Sequence, residues 1–267
     1  EADTLITDDS LQVYSAFQNI IMTSQEDSIT VFGDKARYDK AKNIAIAYEN
    51  SYLRKMMQGD SLFIKADTLY SDQSNPENKY LKAYHNVQLF KSNMQGIADS
   101  MSYNFTDSTI YMYQDPVIWS NDSQISADSI NIEIKNDKID RMNLAVKSFV
   151  ISQDSSKNFN QVSGKTMEIF FKDGFIHKTD VNGNGESIYF VIDDTGALSM
   201  NKLKCSDMAL YFEKNAVTEI RTYREVDGQV IPEFKIQPVD RRLRGFNWRF
   251  RDKPKLRDIA RHLRYDR

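Results

Sequence analysis

The residues best able to do chemistry are few or scattered in this chain. Its three histidines, His85, His177 and His262, are too far apart to form a zinc site by sequence spacing. The single cysteine, Cys205, excludes an internal disulfide and reads as a small buried side chain in a strand. No Gly-x-x-x-x-Gly-Lys-Ser/Thr, His-Glu-x-x-His or Gly-x-Ser-x-Gly is present. Aspartates are plentiful, but most recur at one place in a repeat, whereas a catalytic carboxylate has no need to be copied. The expectation is a protein with no enzyme activity, no metal and no cofactor.

The repeat is the chain's main signal. Ala-Asp-Ser/Thr followed by an apolar residue stands at Ala2-Asp3-Thr4-Leu5, Ala66-Asp67-Thr68-Leu69, Ala98-Asp99-Ser100-Met101 and Ala127-Asp128-Ser129-Ile130. Gly33-Asp34-Lys35-Ala36 and Cys205-Ser206-Asp207-Met208 are worn copies, and Gly164-Lys165-Thr166-Met167 is a distant one. A second phrase, aromatic-polar-Asn/Asp, alternates with it at Phe17-Gln18-Asn19, Tyr48-Glu49-Asn50, Tyr84-His85-Asn86 and Tyr113-Gln114-Asp115. Two landmarks in fixed order describe one structural unit stacked on itself. Successive copies lie 31, 33, 32 and 29 residues apart, and the later ones drift to 37 and 42. At the strand edge, Asp and Ser are expected to satisfy neighbouring backbone N–H groups in a polar ladder, with Ala leaving room for the turn.

The elements that carry the repeat are strands. Met101, Tyr103 and Phe105 alternate with Ser102 and Asn104, and Ile130, Ile132 and Ile134 with Asn131 and Glu133. That is period two, with one wetted face. The expected fold is all-β, a stacked β-jelly-roll or β-solenoid with units of about 30 residues. Asp115-Pro116 bars a helix before Val117, Ser74–Asn78 reads as an exposed loop, and Asn182-Gly183-Asn184-Gly185 reads as a hairpin turn. Leu256, Ile259, Ala260 and Leu263 have helical spacing behind Pro254, predicting a short amphipathic helix over about 254–264.

Charge divides the chain. Residues 241–267 carry 11 Lys and Arg against three Asp, while the preceding 240 carry 24 basic and 35 acidic side chains. The organisation expected is a β-stack over 1–240 and a basic segment over 241–267 that caps it. Such a segment meets its own acidic stack, an anionic lipid or envelope partner, or nucleic acid. No apolar run approaches the roughly 20 residues of a membrane-spanning helix. The chain opens at Glu1 in mid-repeat, as expected of a trimmed export signal or of a piece of a longer protein.

The inward strand positions admit two readings. In a narrow stack they fill a solid core. If the sheets splay, Met101, Tyr103, Phe105, Ile110, Met112, Ile130, Ile132 and Ile134 line a trough able to hold acyl chains, each buried methylene contributing about 0.8 kcal/mol. Period and composition leave both open.

A resemblance favours the second. Gly59-Asp60-Ser61-Leu62-Phe63, Asn86-Val87-Gln88-Leu89-Phe90, Met94-Gln95-Gly96-Ile97 and Tyr113-Gln114-Asp115-Pro116-Val117-Ile118-Trp119 resemble the OstA-like proteins related to the periplasmic lipopolysaccharide-transport protein LptA. Asn160-Gln161-Val162-Ser163-Gly164-Lys165, Phe170-Phe171-Lys172-Asp173-Gly174 and Gly245-Phe246-Asn247-Trp248 resemble the Bacteroidota-type branch. The resemblance covers roughly 59–260, and residues 1–58 share only the repeat. It implies a V-shaped antiparallel stack in the periplasm, a trough for lipid A, and assembly with other transport proteins or further copies by β-strand edge addition. It implies no nucleic acid. Arg241, Arg242 and Arg244 are the residues expected to meet phosphates. A polysaccharide-acting or adhesive β-solenoid and a solid envelope scaffold are the alternatives.

Overall fold

In the computed structural model, residues 1–25, 28–57, 59–213 and 216–260 are described. Most of them lie in antiparallel strands, and the chain divides into two compact units. Unit 1 comprises Glu1–Pro116 with Glu133–Asp137 and the C-terminal residues from Asp252, and unit 2 comprises Val117–Ile132 and Lys138–Arg251.

Unit 1 is built from β1 (Thr4–Asp8), β2 (Val13–Ser24), β3 (Ile29–Asp39), β4 (Ile44–Tyr48), β5 (Tyr52–Met57), β6 (Asp60–Lys65), β7 (Thr68–Asp72), β8 (Tyr80–Lys91), β9 (Met94–Asn104) and β10 (Thr109–Tyr113). The long strands serve two sheets. One half of β2 pairs β1 and the matching half of β3, and the register then slips between Phe17 and Ile20 before pairing resumes. The same slip occurs in β8 between Tyr84 and Val87. One sheet therefore runs β1-β2-β3-β4-β7-β8-β9-β10 and the other β2-β3-β5-β6-β8-β9.

The slips are the second sequence phrase. Gln18 and Asn19, Glu49 and Asn50, His85 and Asn86, and Gln114 and Asp115 are consecutive left-handed pairs, with φ between 49° and 61°. Asn and Asp tolerate that region better than most side chains, which accounts for the third position of the phrase. Three of these corners are tied to the Asp of a copy of the first phrase. Asp3, Asp34 and Asp67 donate their N–H groups to the carbonyls of Gln18, Glu49 and His85 at 3.0, 3.0 and 3.1 Å. Their carboxylates accept from Asn19, Asn50 and Asn86 Nδ2 at 2.8, 2.6 and 2.8 Å. The ladder exists, but these carboxylates take side-chain amides rather than the expected backbone N–H groups.

Unit 2 repeats the device with longer strands: β11 (Val117–Ser120), β12 (Ser123–Ser126), part of β13 (Ser129–Lys135), β14 (Lys138–Gln153), β15 (Phe159–Lys172), β16 (Phe175–Ile192), β17 (Leu198–Glu213), β18 (Ala216–Tyr223) and β19 (Asp227–Pro232). Its corners are Val146-Lys147, Gly183-Asn184 and Arg224-Glu225, again left-handed. Residues 182–185 are thus not a hairpin turn. They lie inside β16, where the register slips between Asn182 and Gly185. Opposite them Gly164 fits closely, because a Cβ there would run into Val181 Cγ1.

The C-terminal segment lies on sheet faces. In unit 2 the outer face carrying Phe149, Ile151, Ile188 and Met200 is covered by Ile236, Leu243, Phe246 and Trp248. Two buried glutamines fix it. Gln161 donates to the Arg241 carbonyl at 2.8 Å and accepts from Leu243 N–H at 2.8 Å. Gln124 does the same with Asn247 and Arg249, both at 2.6 Å. Each amide thus satisfies a backbone donor and acceptor that burial would otherwise leave unpaired. In unit 1, a one-turn helix α1 (Leu256–Ile259) packs with Ala260 on Tyr52, Phe63 and Phe90, and Lys65 donates to the Asp258 carbonyl at 2.9 Å. The helix is shorter than the 254–264 expected, and 261–264 lie outside the described residues.

Candidate functional site

The antiparallel register turns the inward positions of unit 1 into columns that cross the strands. One column reads Leu5, Ala16, Ala36, Ala47, Leu69, Ala83, Met101, Met112. The next reads Thr7, Tyr14, Tyr38, Ala45, Ser71, Leu81, Tyr103, Ile110. Both change character along the stack. Small residues predominate around β2–β4 and β7, and large ones fill β8–β10. Since a packed interior is close-packed like a crystal, small side chains on one rung leave space unless the backbone closes in.

That space is present. A cavity of about 860 Å³ lies between β1–β4 and β7 on one wall and the second half of β2 with the start of β3 on the other. Ala16, Ala36, Ala45, Tyr14 and Tyr38 line the first wall, and Ile20, Met22, Ile29 and Val31 the second. Ser71, Gln73, Asn43, Thr23 and Ser24 supply polar groups, and Glu1 is the one charged residue among the described residues of the lining. The cavity meets solvent at the outermost rung, where Leu5 is 62% exposed, and Ile21, Thr23 and Asn43 of its lining are exposed too. The inner end is Leu81 and Phe105. Phe105 meets Tyr103 edge-on at 4.8 Å, and Lys55 Nζ stands 5.6 and 5.8 Å over the two rings. An ammonium over an aromatic pair contributes about 0.5–2 kcal/mol and holds both rings in place.

Of the eight positions expected in a trough, Phe105 lines this cavity. Met101, Tyr103, Ile110, Met112, Ile130 and Ile132 are buried among packed neighbours, and Ile134 is half-buried. Tyr103 stands directly behind the wall, paired with Leu81. Arg241, Arg242 and Arg244 belong to the unit 2 segment: Arg241 lies 5.6 Å over Phe190 and Arg242 4.8 Å over Phe246, while Arg244 is exposed. The residues that sequence reading missed are Tyr14, Ala16, Ala36, Tyr38 and Ala45. Their signal is visible once the repeat phrases are aligned: Ala45-Ile46-Ala47 before the corner at Tyr48 stands where Ile110-Tyr111-Met112 stands before Tyr113.

Among the described residues, His, Cys, Asp and Glu are dispersed over the strands, and no three of them come together to hold a metal. His85 pairs with Asp99 at 3.3 Å, His177 is exposed, and Cys205 is buried, its thiol pushed up chiefly by burial. The most perturbed carboxyl is Asp60, at a β-turn tie rather than in the cavity. Burial alone would raise it, but hydrogen bonds from the Ser92 hydroxyl at 2.6 Å, Lys91 Nζ at 2.9 Å and the Ser61 N–H at 2.7 Å hold it at about 2.

Residues 30–138 match the family described as LptA/(LptD N-terminal domain) LPS transport protein. The matched segment spans less than half of the chain. It contains much of the cavity lining, from Val31 to Phe105, and it starts well before the phrases that carry the sequence resemblance. Among solved structures, LptH from Pseudomonas aeruginosa, the LptA-homologous periplasmic component of its lipopolysaccharide transport device, is similar at 13% identity and a TM-score of 0.37. The alignment covers 41% of this chain and 77% of that one. Comparison with curated proteins finds no match.

Proposed function

We propose that this protein takes part in lipopolysaccharide transport, binding the acyl chains of lipopolysaccharide or a related glycolipid in the N-terminal cavity of unit 1. The observation that carries the reading is an apolar cavity of about 860 Å³ that the segment matching the LPS transport family lines in part, from Val31 to Phe105, the rest coming from the strands before it. That volume lies in the range of ligand pockets, and an apolar lining rewards methylenes at about 0.8 kcal/mol each while offering a sugar little to bond. The role is binding and transfer without a reaction, in the periplasm. Among the described residues no helix is long and apolar enough to cross a membrane.

In this reading the acyl chain lies against Tyr38, Ala45 and Phe105, and Met101 and Met112 are the packed floor behind. Arg241, Arg242 and Arg244 are proposed for phosphate contact. Strand β1 pairs only with β2 among the described strands, so its other edge presents backbone donors and acceptors to another envelope transport protein or a further copy.

Native mass spectrometry with added lipopolysaccharide tests this. Saturable adducts are expected with the unaltered chain, and their loss with Ala45→Leu plus Ser71→Leu, which fill the cavity. Adducts that persist unchanged in a folded double variant would place the ligand elsewhere; no adduct at all would favour a solid scaffold.

A further inference from the structure

The cavity does not continue along the interior of unit 1. On the first wall it runs from β1 to Leu81 of β8, five strand spacings or about 24 Å at 4.8 Å each. Beyond Leu81 the same column holds Tyr103 and Ile110, and the neighbouring one Met101 and Met112, all buried. On the second wall the lining stops at Val31 and Ile29 of β3. Next in those two rows come Leu53, 1% exposed, and Lys55, whose ammonium braces Tyr103 and Phe105. Both walls therefore end on large side chains that pack against one another.

We propose that the cavity is a closed-ended measure for a single saturated acyl chain, with Leu81 and Phe105 as its stop and Tyr103 and Lys55 as the brace behind it. The inference rests on the acyl-binding reading above and adds to it a limit on chain length. A chain entering at the outermost rung, beside Leu5, gains affinity with each methylene until its end meets the stop. Further methylenes remain outside, in water, and add nothing. Ala16, Ala36 and Ala45 set the width and Leu81 and Phe105 the depth, so specificity lies in a handful of columns. Unit 1 so built holds a chain of bounded length and does not thread it past β8.

The test is calorimetric titration of the full chain with saturated fatty acids from octanoate to stearate, below their aggregation concentrations. Affinity is expected to rise about 4-fold per methylene, as 0.8 kcal/mol implies, and then to level at a defined length. Phe105→Ala moves the break to longer chains, and Ala45→Leu moves it to shorter ones. The two shifts are opposite, so a general loss of fold cannot produce both. Affinity that climbs without a break through stearate, or a break that neither variant moves, overturns the stop while leaving acyl binding intact. Absence of binding at every length overturns the acyl reading and the stop with it.

Discussion

The N-terminal rungs of unit 1 and the strands of unit 2 share one frame and differ in content. Both turn their long strands through two consecutive left-handed residues, and both tie the corner to an Asp on the neighbouring strand, with Asn in unit 1 and Lys147 or Arg224 in unit 2 as the side-chain partner. In unit 2 the inward columns Met142–Ile169–Thr179–Leu210 and Leu144–Met167–Val181–Met208 are filled and buried. A space between its sheets, beside Val150, Val162 and Tyr189, is about 20 Å³, room for a single water. In the N-terminal rungs of unit 1 the equivalent columns place Ala16, Ala36, Ala45, Ala47 and Ser71 among larger residues, and the space is about 860 Å³. The corner phrases set the architecture, and the size of two residues per strand decides whether the interior is a core or a site.

The sharpest way to break that comparison is to delete side chains from each interior. Ile169→Ala in unit 2 should cost about 2–5 kcal/mol, because the hole has packed walls. Val31→Ala, beside the existing cavity of unit 1, should cost less than about 1 kcal/mol, since few contacts are lost. Denaturant titration measures both, and equal losses would mean that the two interiors do not differ in packing. Next in size is Gln161→Leu. It leaves the Arg241 carbonyl and the Leu243 N–H unpaired in a buried place, at about 1–3 kcal/mol for each unsatisfied group. Hydrogen exchange at Leu243 should accelerate while exchange in unit 1 stays as it was.

The repeat and the all-β architecture were legible in the sequence, because both phrases recur at a countable spacing. The turn, however, was expected at the Ala-Asp-Ser phrase, whereas the left-handed pairs fall in the second phrase. The interior was less legible. Met101, Tyr103 and Met112 have the alternation of a trough lining, but alternation reports which face a residue takes and not whether that face is packed. Ala36 and Ala45, which do line the cavity, look unremarkable singly and gain meaning only when aligned by the corner phrases against Met101 and Ile110. Gln124 and Gln161 carry no sequence signal, since their partners are backbone groups more than 75 residues away. The Asn182–Gly185 phrase misled because Asn and Gly favour the left-handed region equally in a hairpin and in a corner.

A third test uses pH and reads unit 1 alone. The Asp60 carboxyl stands at about 2 in the folded chain, below the ordinary carboxylate value of 3.8, so its tie to Lys91 and Ser92 contributes fully above about pH 4. That contribution, about 2 kcal/mol, is lost as pH falls through 2, and Asp60→Asn should flatten this part of the stability profile. The smallest effect is expected from Asn86→Ala. It removes one exposed corner bond to Asp67 and should cost about 0.5–1 kcal/mol, with no change in ligand binding.

The central claim is that the open interior of unit 1, and not the filled interior of unit 2, receives the acyl chain. Tyr38 and Tyr189 are inward-facing tyrosines, one in each unit, bordering the large and the small cavity. Replacing each in turn with a photoreactive phenylalanine and irradiating with labelled lipopolysaccharide compares the two directly. Crosslinking at position 38 with little or none at 189 is the result the account predicts. Equal labelling at both positions, or labelling at 189 alone, would contradict it.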